Sequence, residues 1–221
     1  MRTAAAGAVA AKHLAAKNVE CIGIIGTGAQ ARLQLELLRD VVDCKRAVVW
    51  GRDAAKAQTM VEDLSAKQSI QDWGLEIDVT EKLDELVLQC NLIVTTTSSK
   101  TPLIRAAMVQ KGTHITAMGS DDYGKQELEA SLLGRADRVV ADSISQCVDH
   151  GECCVAVRDR HIGRGDILEL GKVIDHPELG RSSEDQITIA DLTGVAVQDI
   201  QIAKMVAHAV YTSRNHQYRM G

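Results

Sequence analysis

The sequence predicts an α/β fold built on a doubly wound parallel sheet, with flanking helices that belong to an incomplete second domain. Two patterns point there. Apolar runs of strand length recur through the first 150 residues, most of them followed by a helical pattern, and such alternation implies parallel strands joined by crossover helices. Several of those runs are nearly continuous rather than alternating, as in strands buried on both faces. The composition agrees: 45% of the 221 residues are hydrophobic, only 2% are aromatic and Phe is absent, so the core must be aliphatic.

In order, residues 3–16 (TAAAGAVAAKHLAA) form an alanine-rich helix, apolar on nearly every face, which needs cover on most sides. Residues 19–25 are the first strand. It runs into Gly26-Thr27-Gly28-Ala29-Gln30-Ala31, where a helix begins that extends over 29–41 with Ala31, Leu33, Leu35, Leu37 and Leu38 as apolar positions. A second strand spans 47–50, and Asp53 is placed to cap a helix over 54–64. A weaker strand at 75–79 and a short helix at 81–88 precede a strong strand at 91–95, which ends in the hydroxyl-rich Thr95-Thr96-Thr97-Ser98-Ser99. Residues 113–118 form a further strand leading into Gly119-Ser120-Asp121-Asp122-Tyr123-Gly124, then a helical turn and a strand at 138–141. The pattern loosens over 151–180, which reads as mixed and loop-rich. A short strand at 187–189 follows. Residues 195–211 close as an amphipathic helix with Ile200, Ala203, Val206, Ala207 and Val210 on one face. The expected organisation is a connecting helix over 1–17, a nucleotide-binding domain over 18–180, and a return segment over 181–221 that packs toward a domain preceding residue 1.

The formal net charge of -5, with acids and bases interspersed, argues against a nucleic-acid surface. No apolar run is long enough to span a bilayer and no signal peptide begins the chain, so a cytoplasmic protein without a membrane partner is expected. Cysteines 21, 44, 90, 147, 153 and 154 show no Cys-x-x-Cys spacing and read as buried small hydrophobes rather than disulfides. The histidines show no ligand spacing, so no metal site is expected, and His114, inside a strand, reads as a packing residue. Arg164-Gly165-Asp166 is read as a coincidental tripeptide.

The glycine turn carries the strongest chemical signal. In a βαβ unit the first glycine permits the tight turn, the second lets backbone approach a pyrophosphate, and a small third residue, here Ala31, lets helix pack on strand. Free N–H groups and the positive end of the helix dipole then face the phosphates. A strand before and a helix after supply the context for a Rossmann-type NAD(P)-binding domain; a glycine turn in an ordinary α/β fold is the alternative. Past the second strand, Gly51-Arg52 offers no acid for a ribose hydroxyl. Arg52 leans toward NADP over NAD, because a guanidinium pairs with a 2′-phosphate; stacking on adenine is the other reading. Asp121 follows a strand at the same edge, where a carboxylate can act as general acid or base or simply form a turn.

Four segments also carry a resemblance: Arg2-Thr3-Ala4-Ala5-Ala6, the turn at 26–31, Gly119-Ser120-Asp121 through Gly124-Lys125-Gln126-Glu127-Leu128, and Asp191-Leu192-Thr193-Gly194 through Gln198-Asp199. Over nearly its full length the chain resembles the ornithine cyclodeaminase/mu-crystallin family. The resemblance implies that Asp121 is the catalytic acid/base and that Arg2 holds the substrate carboxylate. It implies dinucleotide contacts from Gly26, Gly28, Ala29, Gln30, Thr97, Met118, Gly119, Ser120 and Lys125, and places Leu192 and Thr193 beside nicotinamide and substrate. By the same resemblance the chain is an NAD(P)-dependent enzyme working at the Cα–N bond of a small amino or imino acid, and a homodimer when full-length. A non-catalytic binding module of the mu-crystallin type, or an inactive fragment, is the alternative; a methyltransferase fits the four segments less well. Two departures stand out. Tyr123 occupies a position where many members carry Pro. The family's first segment, which supplies most of the substrate and dimerisation domain with an arginine and a lysine, is absent from these 221 residues.

Overall fold

A computed structural model describes residues 1–217. Its centre is an eight-stranded sheet: β1 (Ile22–Ile25), β2 (Arg46–Trp50), β3 (Glu76–Val79), β4 (Leu92–Thr95), β5 (His114–Ala117), β6 (Arg138–Ala141), β7 (Ile167–Glu169) and β8 (Thr188–Asp191). The spatial order is β3-β2-β1-β4-β5-β8-β6-β7 and every pairing is parallel. The chain winds outward from β1 to β3, then returns to β4 on the other side of β1. That reversal opens a crevice at the carboxyl ends of β1 and β4, where ligands bind in such sheets. The register puts Ile25, Trp50, Thr95, Ala117, Asp191 and Ala141 along one edge, so the loops that follow them share one rim.

Both faces are covered. Ile22 and Ile24 point into a layer shared with α1 (Arg2–Leu14), α2 (Ala29–Leu38) and α3 (Ala54–Ser65). Cys21 and Ile25 point the other way, with α5 (Leu83–Gln89), α6 (Ala130–Arg135), α7 (Ile144–His150) and α8 (Glu152–Arg158). A short α4 (Gln68–Trp73) stands between α3 and β3 and ends at Gly74 in the left-handed conformation. The alanine-rich α1 gets its cover from α2, β5 and β8. Gly7 makes the close approach possible, since a Cβ there would collide with the Gln34 side chain of α2.

The structure departs from the sequence reading in three places. The helix after the glycine turn, α2, stops at Leu38 rather than at residue 41. The stretch 151–180 holds α8, β7 and α9 (Leu170–Asp175); β7 is a three-residue edge strand with one buried side chain, too short to show a period. β8, expected as a short strand over 187–189, is fully buried between β5 and β6 and runs on to the polar Asp191. The closing helix is α10 (Ala196–Gln217). Of its expected apolar face, Ile200, Ala203, Val206 and Ala207 are exposed, and the side chain of Val210 lies outside the described residues.

All six cysteines are free thiols, five buried and Cys154 half-buried. His114 is fully buried in β5, its ring between the hydroxyls of Thr188 (2.8 Å) and Thr116 (3.0 Å). Burial, reinforced by Arg181, pushes its pKa down to about 3, so it is a neutral packing residue. Among the described residues no helix is long and apolar enough to cross a membrane, and no cluster of His, Cys, Asp or Glu could hold a metal ion.

Candidate functional site

The glycine turn is locked between its neighbours. Gly26 N–H donates to the Trp50 carbonyl (2.9 Å), while Thr96 donates to the Ile25 carbonyl from its N–H (2.9 Å) and its hydroxyl (3.2 Å). Gly26 has φ +124°, and a Cβ there would run into Thr96 Oγ1, so glycine is required twice over. Gly28 is the N-cap of α2, and no side chain caps the first turn. A Cβ on Gly28 would meet nothing within 4 Å, so the backbone lies open to close approach by a ligand. The unsatisfied N–H groups of that turn and the helix dipole form an anion-binding end, while Ala31 is fully buried beneath it.

This end opens on a cleft of about 430 Å³ whose walls include Gly26–Gly28, Gly51, Arg52 and the loop of Thr96–Ser99. Arg52 is exposed on the wall. Its neighbour Asp53 is occupied as a cap, accepting from the N–H groups of Ala55 (3.1 Å) and Lys56 (3.2 Å) at the start of α3. Gln30 Oε1 and Ser120 Oγ are buried without a hydrogen-bond partner among the described residues. Buried polar atoms rarely stay unpaired, so these two, the bare helix end and the open Gly28 backbone together fit a polar dinucleotide.

The loop after β5 carries Asp121 on the same rim. Asp121 is half-exposed and accepts from Lys125 Nζ at 2.5 Å, a contact that raises the lysine's pKa. Tyr123 ties the loop to α7: its hydroxyl donates to Asp149 (2.5 Å) and its ring lies tilted against His150, 5.4 Å between centroids. The hydrogen bond lowers the pKa of Asp149 and raises that of the phenol. The Met118 side chain turns into the core, where its sulfur accepts from Gln34 Nε2, so what Met118 offers the rim is backbone.

At the end of β8, Thr193 is 8% exposed. Asp142, which follows β6, accepts from Thr193 N–H (3.3 Å), Thr193 O–H (3.2 Å) and Gly194 N–H (2.7 Å), fixing the segment that begins at Leu192. Arg2 approaches the same segment from the start of α1 and pairs with Asp199 of α10 at 2.9 Å. One edge of the sheet therefore collects the glycine turn, Arg52, Thr97, the Asp121–Lys125 pair, Thr193 and Arg2.

The sequence reading assigned no role to three buried acids behind this edge. Glu127 accepts from Thr95, Thr97 and Gly119. Glu152 accepts from the N–H groups of Glu127 (2.7 Å) and Leu128 (3.0 Å), and Asp191 accepts from Cys153 N–H at 2.9 Å. Gly151 leaves room for the Asp191 carboxylate, which a Cβ would strike. Burial raises all three: Asp191 to about 6, Glu152 to about 8 with Asp191 adding repulsion, and Glu127 upward against the pull of its hydrogen bonds. A signal for Glu127 was present, an acid between the loop and buried Leu128. For Glu152 nothing local marks the role, because its partners lie 24 and 25 residues away.

Known proteins are similar to this chain in sequence and in fold. The chain is 42% identical over 206 residues to an uncharacterized cyclodeaminase, y4tK, of Sinorhizobium fredii, covering 93% of this chain and 61% of that protein. It is 40% identical over 210 residues to an alanine dehydrogenase of Archaeoglobus fulgidus, covering 93% and 62%. The crystal structure of the iminosuccinate reductase of Paracoccus denitrificans, in complex with NAD+, superposes with a TM-score of 0.87 at 35% identity, covering 96% of this chain and 63% of that one. The chain thus spans less than two thirds of the length of these relatives. The model of the ornithine cyclodeaminase/mu-crystallin family matches residues 1–214, and the chain belongs to that family.

Proposed function

We propose that the chain binds NAD(H) or NADP(H) across the rim and works at the Cα–N bond of a small amino or imino acid, as an ornithine cyclodeaminase-like enzyme or a related dehydrogenase or imine reductase. The observation that carries the reading is the meeting, on one sheet edge, of an uncapped helix end behind Gly28 and the Asp121 loop. The names of the relatives, a cyclodeaminase, an alanine dehydrogenase and an iminosuccinate reductase, support that range of chemistry.

When bound, the nicotinamide supplies hydride exchange at Cα. The chain's own residues do the rest. Gly28, Ala29 and Gln30 would hold the pyrophosphate by backbone N–H groups above the tight turn that Gly26 makes, and Thr97, the 118–120 backbone, Lys125 and Leu192 would position the cofactor's other end. Arg52 takes a 2′-phosphate, which favours NADP. Asp121, its charge held by Lys125, gives and takes the proton at the substrate nitrogen. Arg2, oriented by Asp199, binds the substrate carboxylate beside Thr193. In this reading residues 1–17 connect, 18–180 bind the dinucleotide, and 181–221 return toward the part of the longer relatives that this chain does not span.

Titration with NADH and NADPH, followed by assays with ornithine, alanine and cyclic imines with product analysis for proline and ammonia, tests the proposal. Failure to bind either cofactor sinks it. A non-catalytic binding module of the mu-crystallin type is the second reading, since the uncapped helix end behind Gly28 would serve binding alone. Binding without turnover of any of these substrates selects it.

A further inference from the structure

Glu127 is fully buried and anchored through every polar group it has. Its N–H donates to Glu152, and its carbonyl accepts from Leu103 N–H (2.7 Å) and Ile104 N–H (3.1 Å). Its side chain reaches the ends of two strands. Oε1 accepts from Thr97 N–H (2.6 Å) and Thr97 O–H (2.7 Å); Oε2 accepts from Gly119 N–H (2.8 Å) and Thr95 O–H (2.5 Å). One carboxylate therefore staples the loop after β4 to the loop after β5. The two loops touch there: a Cβ on Gly119 would collide with both the Thr97 carbonyl oxygen and the Glu127 carboxyl carbon. None of these hydrogen bonds reaches the Gly26–Gly28 turn or Arg52.

We infer that Glu127 is a positioning residue, which sets the spacing of the Thr97 and Gly119 loops and bears on the nicotinamide end of the cofactor more than on the adenosine end, where the Thr97 loop is one wall among several. The inference rests on the dinucleotide reading above. The two-sided pattern explains why a carboxylate is needed. Each oxygen takes one backbone N–H, so a glutamine in either orientation would turn its NH2 against a backbone donor and leave that donor unsatisfied. A fixed backbone gap of this kind matters most where a ring must sit in reacting geometry, since misplacement by about 1 Å can cost about 100-fold in rate.

The test uses the full 221-residue chain, wild type and Glu127→Gln. Amide hydrogen exchange is read at Thr97 and Gly119, and binding is read for NADH and for ADP-ribose, which lacks the nicotinamide. Exchange at one or both amides is expected to quicken about 10-fold. NADH is expected to bind about 10-fold more weakly, and ADP-ribose by no more than about threefold. Should Glu127→Gln fail to fold, Thr95→Val, which removes one buried donor to Glu127, is expected to show the same split at about threefold. Unchanged exchange at both amides, or equal weakening of NADH and ADP-ribose, overturns the inference. Wild type that binds neither molecule overturns the dinucleotide reading itself and the positioning role with it; wild type that binds both while the variant shows no split overturns the inference alone.

Discussion

At the carboxyl ends of β1 and β2 the rim is shaped by what is left out. Gly26, Gly28 and Gly51 remove side chains, the first turn of α2 is uncapped, and the neighbouring core is aliphatic. At the ends of β5, β8 and β6 the rim is shaped by what is put in. Glu127, Glu152, Asp191 and Asp142 reach behind the loops and grip backbone N–H groups. The first device depends on local chain geometry and is blind to pH. The second needs partners far apart in sequence and places ionisable groups in a low-dielectric interior, where each must be paired or change its protonation. A site for an inert phosphate backbone can be made by the first. A site that holds reacting groups in register draws on the second.

Removing the proposed acid/base, Asp121, on the carboxylate side gives the largest expected effect. Asp121→Asn keeps the loop's shape but cannot move a proton, so activity on the true substrate should fall by about 10²–10⁴-fold in kcat/KM. Cofactor affinity should hardly change, because the anion-binding end lies elsewhere on the rim. Steady-state kinetics together with a cofactor titration check both halves of that statement. The matching break on the glycine side is Gly26→Ala. It forces an L-residue to φ +124° and drives a Cβ into Thr96, with an expected loss of about 1–3 kcal/mol in chemical denaturation and a severe loss of cofactor binding.

The same contrast explains what could be read from the sequence. β1, β2, β4 and β5 appear as apolar runs because parallel strands covered on both faces have no polar side to show. The turn at Gly26–Ala31, the Asp53 cap and the position of Asp121 after β5 follow directly, each being set by residues within a few positions of a strand end. β8 is different. It lies in the middle of the sheet, yet Thr188 and Asp191 are polar because one hydrogen-bonds His114 and the Leu14 carbonyl while the other caps α8. Glu152 stands in a stretch that reads as loop-rich, and only the fold puts it against the backbone of Glu127 and Leu128. Local patterns thus revealed the backbone-made half, and the carboxylate-made half became visible only through contacts between distant segments.

Stability against pH sharpens the comparison further. Glu152, raised to about 8, and Asp191, raised to about 6, contribute stability that is complete below their unfolded values and fades as pH rises through the folded ones. His114, lowered to about 3, works in the other direction: its contribution is present above about 6.5 and fades as pH falls. The two opposing trends overlap between pH 3.8 and 6.5, and above 6.5 Glu152 acts alone among the three. Wild type should therefore lose stability from pH 6.5 to 8, by at most about 1.4 kcal/mol per pH unit for the one proton involved. Glu152→Gln should be less stable overall, since its NH2 must face one of two backbone donors, and its slope across that window should be shallower, with buried Glu127 still pulling in the same direction. Urea melts at four pH values test this, and an equally steep slope in the variant would remove Glu152 as its source.

The smallest expected effect falls on the glycine side, at Arg52. This side chain stands exposed on the cleft wall, and its neighbour Asp53 is committed to capping α3. A guanidinium there can pair a 2′-phosphate through charge-assisted hydrogen bonds, while for a plain ribose it offers only stacking on the adenine. Arg52→Ala should then weaken NADPH by about 10-fold, equivalent to about 1.4 kcal/mol, and NADH by less than about twofold. Because the contact is exposed, the preference should shrink as salt is raised. The ratio of the two dissociation constants, measured at low and high ionic strength, carries the answer. Equal weakening of both cofactors would assign Arg52 to the adenine face and remove the reason for favouring NADP, leaving the phosphate-binding helix end as it stands.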